Sequence, residues 1–292
     1  MKSKFLTLYN LVMEQLQNIR NYKYENITIA IVPGSFKPPH KGHWEMIMNY
    51  VNQADKVVVL ISNISTSVIS SRALSLSNLK EFGAIKSKYD SIKDKSNIPG
   101  VVNTTFNEIA AKSDNISFNE LLEKLQIILN VDSLELSEIK SKIQKYIDKL
   151  NKSLFTSIRK TSDNTEITPE MSKEIFEIFA SASHVQNKVE IQISKSASPV
   201  TATYELVNND CMNCKVLLGV SKKGGDESKW AGLKQSEENP TNKIVVTPVD
   251  VKTMLSATQL RNEINNLHRD WFPDDISDED FEKIKGILTN GK

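Results

Sequence analysis

The chain has 292 residues, 39% apolar and 25% charged, with a formal net charge of +1. That length suits one large domain or two small ones around a buried core. Charge this close to neutral gives no electrostatic case for a nucleic acid or an anionic membrane as partner. No apolar run approaches the ~20 residues that cross a bilayer. Met1, Lys2, Ser3, Lys4 and Phe5 lack the apolar stretch and small-residue cleavage site of a secretory leader, so a cytoplasmic location is expected. The two cysteines, Cys211 and Cys214, suit a reducing compartment. Their Cys-Met-Asn-Cys spacing reads as half a zinc site, a redox pair or two reduced thiols in a loop. There is no second pair to complete a tetrahedral site, and a strand-like run follows rather than a helix, which favours the reduced thiols.

In chain order, Phe5, Leu8, Leu11, Val12 and Leu16 recur at helical spacing. They predict an amphipathic helix within 1–23, either a prelude to the main domain or a partner-binding arm. Residues 27–32 are rich in β-branched side chains and read as a strand. The next stretch, Pro33-Gly34-Ser35-Phe36-Lys37-Pro38-Pro39, has too many prolines for a helix or a strand. His40-Lys41-Gly42-His43-Trp44 then opens a segment with Met46, Ile47, Tyr50 and Val51 at helical spacing, and 56–61 is a second strand. Strand, loop, helix and strand make a βαβ unit, which implies a parallel sheet with a right-handed crossover.

Residues 77–165 break the alternation. Leu136, Ile139, Ile143, Ile147 and Leu150 share one helical face, and acidic and basic residues nearly balance. The block reads as a helical insertion, ordered over 117–152 and looser over 87–115, where Pro99-Gly100 and polar residues dilute the pattern. It leaves the second strand at its carboxyl end, the edge where open α/β sheets bind ligands. It therefore serves as a lid, as a docking face for a protein partner or a second copy of the chain, or as a decoration away from the site. Alternation then resumes: a helix at 169–182, a strand at 188–193, a helix at 200–207, strands at 215–220 and 243–249, and helices at 257–267 and 277–288. The fold class is α/β, a Rossmann-like doubly wound parallel sheet built from 24–76 and 166–292, with the helical insertion between.

Two of the four histidines, His40 and His43, fall in one tetrad at a strand-to-helix junction. Backbone N–H groups of the Gly34-Ser35-Phe36-Lys37 loop and the helix N-terminus make an anion site. Gly42 gives room for a close approach of ligand to backbone. Imidazole donors suit phosphate oxygens on which charge builds in a transition state. Lys37 and Lys41 flank this site. No side-chain nucleophile is needed, because an acceptor phosphate attacks directly, so positioning and charge stabilisation carry the catalysis.

The run from Pro33 to His43 resembles the signature of the cytidylyltransferase-like nucleotidyltransferase superfamily, and Thr168-Pro169-Glu170-Met171-Ser172-Lys173 and Ser198-Pro199-Val200-Thr201-Ala202 are similar to variants in its phage, viral or environmental members. Leu255-Ser256-Ala257-Thr258-Gln259-Leu260-Arg261 is similar to that superfamily's second motif, with Ala257 where a serine or glycine is common. The resemblance implies that His40, His43 and Arg261 act in catalysis. It implies that Gly34, Ser35, Phe36, Lys37, Lys41, Gly42, Ser256 and Thr258 bind the nucleotide, Ser256 and Thr258 at its β and γ phosphates. It implies transfer of a nucleoside monophosphate from ATP or CTP, ATP favoured, to a phosphorylated small molecule, with Mg²⁺ carried by the phosphates rather than by a protein cage. The competing class is a non-catalytic nucleotide-binding or particle-associated module that keeps the fold.

Weaker candidates are Lys229, beside Trp230, for phosphate; the loop at 219–226 for base or ribose; and Arg72 for acceptor phosphate, with a surface role the better reading of Arg72. His184 and His268 stand in polar contexts and read as structural or solvated.

Overall fold

The computed structural model describes residues 22–112, 115–221 and 242–289. Its chain forms two compact units, one made of residues up to Asn63 and from Arg159 onward, the other of Ile64–Ile158. The expected amino-terminal helix lies outside the described residues, apart from its last two positions.

Among the described residues the main sheet of the first unit has five parallel strands: β1 (Thr28–Gly34), β2 (Lys56–Ile61), β3 (Val189–Ile193), β4 (Lys215–Ser221) and β5 (Lys243–Val249). The order across the sheet is β3-β2-β1-β4-β5. In register, Ala30 of β1 stands opposite Val57 of β2 and Leu217 of β4. The chain builds outward from β1 to β3, then crosses back to β4. The gap between β1 and β4 is therefore the topological switch point of an open α/β sheet, the place where such sheets bind ligands.

The helices in chain order begin with α1 (Lys41–Val51), α2 (Thr66–Ser71), α3 (Leu76–Asp90), α4 (Gly100–Ala111) and α5 (Phe118–Leu129). They continue with α6 (Ser137–Leu154), α7 (Pro169–Ala182), α8 (Pro199–Asp210), α9 (Ala257–Asn262) and α10 (Asp278–Thr289). Side chains alternate between the faces of a strand, and this sheet uses both faces. Ala30, Val32, Val57, Val59 and Ile61 pack with Trp44, Ile47 and Tyr50 of α1, Phe176 and Phe179 of α7 and Ile284 of α10. Ile29, Ile31, Val58, Leu60, Val216 and Leu218 pack with Ala202, Leu206 and Val207 of α8 on the other face. Burial on both faces explains why these strands read as unbroken apolar runs.

Gly219 on β4 is dictated by packing: a Cβ there would stand 2.7 Å from Tyr50 Cε2 and 2.9 Å from Val32 Cγ2. The two cysteines are free thiols, and both are buried. Cys211 opens a two-residue strand paired with Tyr24–Glu25, and Asn242 clamps the turn, its Oδ1 accepting from Cys214 N at 2.8 Å.

The second unit is helical, α2 to α6. Its own core includes Phe82, Phe106, Leu125, Ile143 and Tyr146, with Tyr89 and Phe106 stacked at 4.6 Å between ring centroids. The expected looseness over 87–115 is corrected. Val102, Phe106 and Ile109, at helical spacing, are buried in that core and make Gly100–Ala111 a helix despite its polar residues. The unit also begins before and ends before the expected 77–165, because α2 belongs to it and the segment from Arg159 returns to the sheet unit. Among the described residues, no helix is long and apolar enough to cross a membrane.

Candidate functional site

Strand β1 ends at Gly34, and the loop that follows is shaped by one aromatic ring. Phe36 takes a left-handed φ of 48° and folds its ring back, so that a Cβ on Gly34 would lie 2.7 Å from Phe36 Cζ. Only glycine tolerates that approach. The Phe36 ring meets the rings of His43 and Phe176 edge to face, each at 5.1 Å between centroids. The Phe36 carbonyl accepts a hydrogen bond from Ser172 Oγ of α7 at 2.8 Å. Lys37, Pro38 and Pro39 are buried behind it, while Ser35 is exposed.

His40 is the N-cap of α1, with extended backbone. Its Nδ1 accepts from Gly42 N at 3.1 Å, which leaves the proton of the neutral ring on Nε2. The first turn of α1 carries no acidic residue, so no carboxylate competes for the positive end of the helix. The His40 and His43 rings lie 3.7 Å apart between centroids. Burial, and secondarily the neighbouring His40, hold the His43 imidazole well below the usual histidine range, so the ring is neutral at neutral pH. His43 Nδ1 is buried and has no hydrogen-bond partner, while the residue keeps part of its surface exposed. An orphaned polar atom of this kind is rare in a native interior.

Gly42 is explained by protein packing. A Cβ there would be 3.2 Å from both His40 Cε1 and Val251 Cγ1, so the space is filled by the site's own side chains. Lys41 carries its ammonium to Asp274, at 2.6 Å.

The second motif begins where Ser256 caps α9, its Oγ accepting from Gln259 N at 3.1 Å. The expected single helix over 257–267 is shorter: α9 ends at Asn262 and a 3-10 turn, Ile264–Asn266, follows. Arg261 ties the two motifs together. Its guanidinium donates to the Lys37 carbonyl at 2.6 Å and to Thr258 Oγ1 at 2.9 Å. One planar fork thus touches the loop after β1 and the helix after β5.

Arg159 is a neighbour that sequence reasoning missed. The segment from Arg159 doubles back on itself through the Lys160–Glu166 bridge, and Ser162 N donates to the Arg261 carbonyl at 2.9 Å. Burial and Arg159 together lower the pKa of Arg261. Lys37 is 2% exposed, and burial pushes its ammonium down to about 8, with Arg159 acting in the same direction and Glu166 and Glu170 opposing. A lone arginine after a helical insertion carries no spacing or motif by which to find it.

Other candidates fall elsewhere. Lys229 and positions 222–226 of the loop after β4 lie outside the described residues. Arg72 is exposed at the carboxyl end of α2, in the second unit. His184 and His268 are exposed, His268 beside Trp271. Among the described residues, no group of three or more His, Cys, Asp or Glu is disposed to hold a metal ion.

Fold and site define a Rossmann-like α/β protein with imidazole, hydroxyl and cationic groups gathered beyond the carboxyl end of its first strand. The chain is similar to a phosphopantetheine adenylyltransferase of Mycoplasma capricolum subsp. capricolum, 36% identical over 76 residues, or 26% of this chain and 48% of that protein. It therefore spans about half the length of the curated relative it matches. No family model and no solved structure matches the chain. Likeness to an adenylyltransferase, joined to this fold, supports nucleotidylyl transfer in general.

Proposed function

We propose that the protein transfers a nucleoside monophosphate, AMP in preference to CMP, from an NTP to a phosphorylated small molecule. The observation that carries this reading is the Arg261 guanidinium held between the Lys37 carbonyl and Thr258 Oγ1, because it joins the two phosphate-suited motifs into one site. An oxygen of the acceptor phosphate attacks the α-phosphorus and forms the new P–O bond. The bond from the α-phosphorus to the α–β bridging oxygen breaks, and its electron pair leaves with pyrophosphate. His40 and His43 stabilise the charge that grows on the α-phosphate oxygens, with His40 offering Nε2–H. Ser256, Thr258 and Arg261 hold the β and γ phosphates, assisted by the amino end of α1. The surrounding donors are nitrogens and hydroxyls, which fit phosphate oxygens better than a hard cation. Mg²⁺ accordingly belongs to the triphosphate, whose charge it neutralises.

The name of the similar protein makes ATP and phosphopantetheine the first pair to try. The test is pyrophosphate release with ATP or CTP against a panel of phosphorylated acceptors. Release that depends on both substrates, with a nucleotide-linked product, supports the proposal. Nucleotide binding without turnover for every acceptor would replace it with a nucleotide-binding module.

A further inference from the structure

The segment from Asp250 to Ser256 links β5 to the cap of α9 and runs extended over α1, with Val251, Thr253 and Leu255 turned inward and Asp250, Lys252, Met254 and Ser256 exposed. Such a strap has no regular backbone ladder to fix it, so side chains must do so. Two contacts do. Val251 Cγ1 fills the space beside Gly42, where a Cβ would be 3.2 Å away. The Glu45 carboxylate takes hold of Thr253 twice, Oε2 accepting from the backbone N–H at 3.1 Å and Oε1 from the hydroxyl. Glu45 sits two residues beyond His43 on α1, and Thr253 three residues before Ser256.

We infer that Glu45 is a positioning residue, which fixes the nucleotide's β/γ-phosphate groups relative to the histidine pair by holding Thr253. The inference rests on the proposed transferase reading. Its physical basis is geometric. Helix α1 is rigid and carries His40 and His43 at its start, so a side chain on the same helix that grips the strap sets the distance from the histidines to Ser256 and Thr258. Two bonds to a carboxylate restrain translation and rotation of Thr253 together, and charge-assisted bonds are the stronger kind. The groups placed by Glu45 hold phosphates that are present in both the ground state and the transition state. Their misplacement therefore weakens NTP binding more than it slows the chemical step.

The experiment measures steady-state kinetics and direct Mg-NTP binding by calorimetry for wild type, Glu45→Ala, Thr253→Val and Thr253→Ser. Glu45→Ala is expected to raise the NTP KM and Kd by about 10-fold or more, with kcat within about 3-fold and the acceptor KM unchanged, since two charge-assisted bonds to Thr253 are lost together. Thr253→Val should show a smaller shift of the same kind, and Thr253→Ser, which keeps the hydroxyl, should match wild type. Thr253→Val keeps the backbone bond and serves as the readout if Glu45→Ala does not fold. Wild-type Mg-NTP binding with unchanged affinity in Glu45→Ala, or in Thr253→Val where that is the readout, overturns the inference and spares the transferase reading. A fall in kcat at constant KM, or an equal shift in the acceptor KM, also overturns it. A wild type that binds no NTP overturns both.

Discussion

Replacing Arg261 separates charge from geometry at the junction of the two motifs. Arg261→Ala removes both donors, to the Lys37 carbonyl at 2.6 Å and to Thr258 Oγ1 at 2.9 Å, together with the cation itself. Arg261→Lys keeps the charge but offers a compact ammonium that cannot span both acceptors. Each charge-assisted bond contributes ~1.5–3 kcal/mol, and partial exposure of the guanidinium argues for the low end. Arg261→Ala also removes the cation assigned to the β and γ phosphates, and one such charge-assisted contact of ~1.5–3 kcal/mol predicts a fall in kcat/KM of roughly 10- to 150-fold. Arg261→Lys should recover only part of this, remaining roughly 10-fold below wild type because one acceptor stays unmet. A continuous pyrophosphate-release assay at saturating acceptor and varied NTP measures both variants. The melting temperature is read alongside, because losing the bonds to Lys37 and Thr258 lowers stability and that effect is to be separated from the fall in kcat/KM. Full activity in Arg261→Lys would refute the argument, because a point charge would then do everything assigned to the fork.

His43→Ala should lower kcat by ~10²–10³-fold with little change in NTP KM, the signature of a donor that serves developing charge; a change in KM alone would make His43 a ground-state ligand. The neutral His43 also bears on stability. Its folded pKa lies well below the ordinary value, so the unfolded chain binds the extra proton first as pH falls. Its contribution is complete above pH ~6.5 and is lost as pH drops toward the folded pKa, so urea midpoints should fall with acidification less steeply in His43→Asn. Lys37 follows the same sign, with its folded pKa lowered to about 8. Stability should rise as pH climbs from about 8 toward ~10.5, and this rise should be absent from urea midpoints of Lys37→Met. Gly219→Ala should cost ~1–3 kcal/mol in urea denaturation, because the new methyl meets Tyr50 and Val32, both fully buried.

Much of the fold could be read from local patterns, for reasons that single residues make plain. Helix α7 starts where Thr168 caps and Pro169 takes the first turn, and β2 and β5 are runs of β-branched residues. Helix α4 was harder. Asn103, Thr104 and Thr105 interrupt its apolar pattern, and only the tertiary burial of Val102, Phe106 and Ile109 decides in favour of a helix. The end of α9 was also illegible, since nothing in the composition of 257–267 signals the change of backbone at Glu263. At the site, the sequence places one motif after the first strand and another after the last. It does not say that one guanidinium will touch both, that Lys41 will turn to Asp274, or that Arg159 will stand near Lys37. Such contacts join residues far apart in the chain, and no local periodicity encodes them.

On the proposed reading, the charges gathered at the site are those a polyanion requires. Lys37 and Arg261 have each lost hydration, and Arg159 makes both harder to keep charged. Glu166 and Glu170 oppose this at Lys37 but do not outweigh burial there, since the ammonium still ends near 8. The fold therefore holds cations under mutual repulsion, beside the amino end of a helix whose first turn lacks acid. On the proposed reading, a triphosphate entering this field relieves the repulsion as it binds, and little reorganisation of the protein is needed because the groups are already fixed by backbone and packing. The same logic accounts for the neutral His43. Two imidazolium rings in contact would add to the repulsion, whereas a neutral His43 and a His40 with its proton on Nε2 still present donor groups at no such cost. Positive charge is thus supplied by lysine, arginine and the helix, while the histidines supply direction, a division of labour that fits a reaction in which charge spreads over phosphate oxygens and no side chain is required as nucleophile.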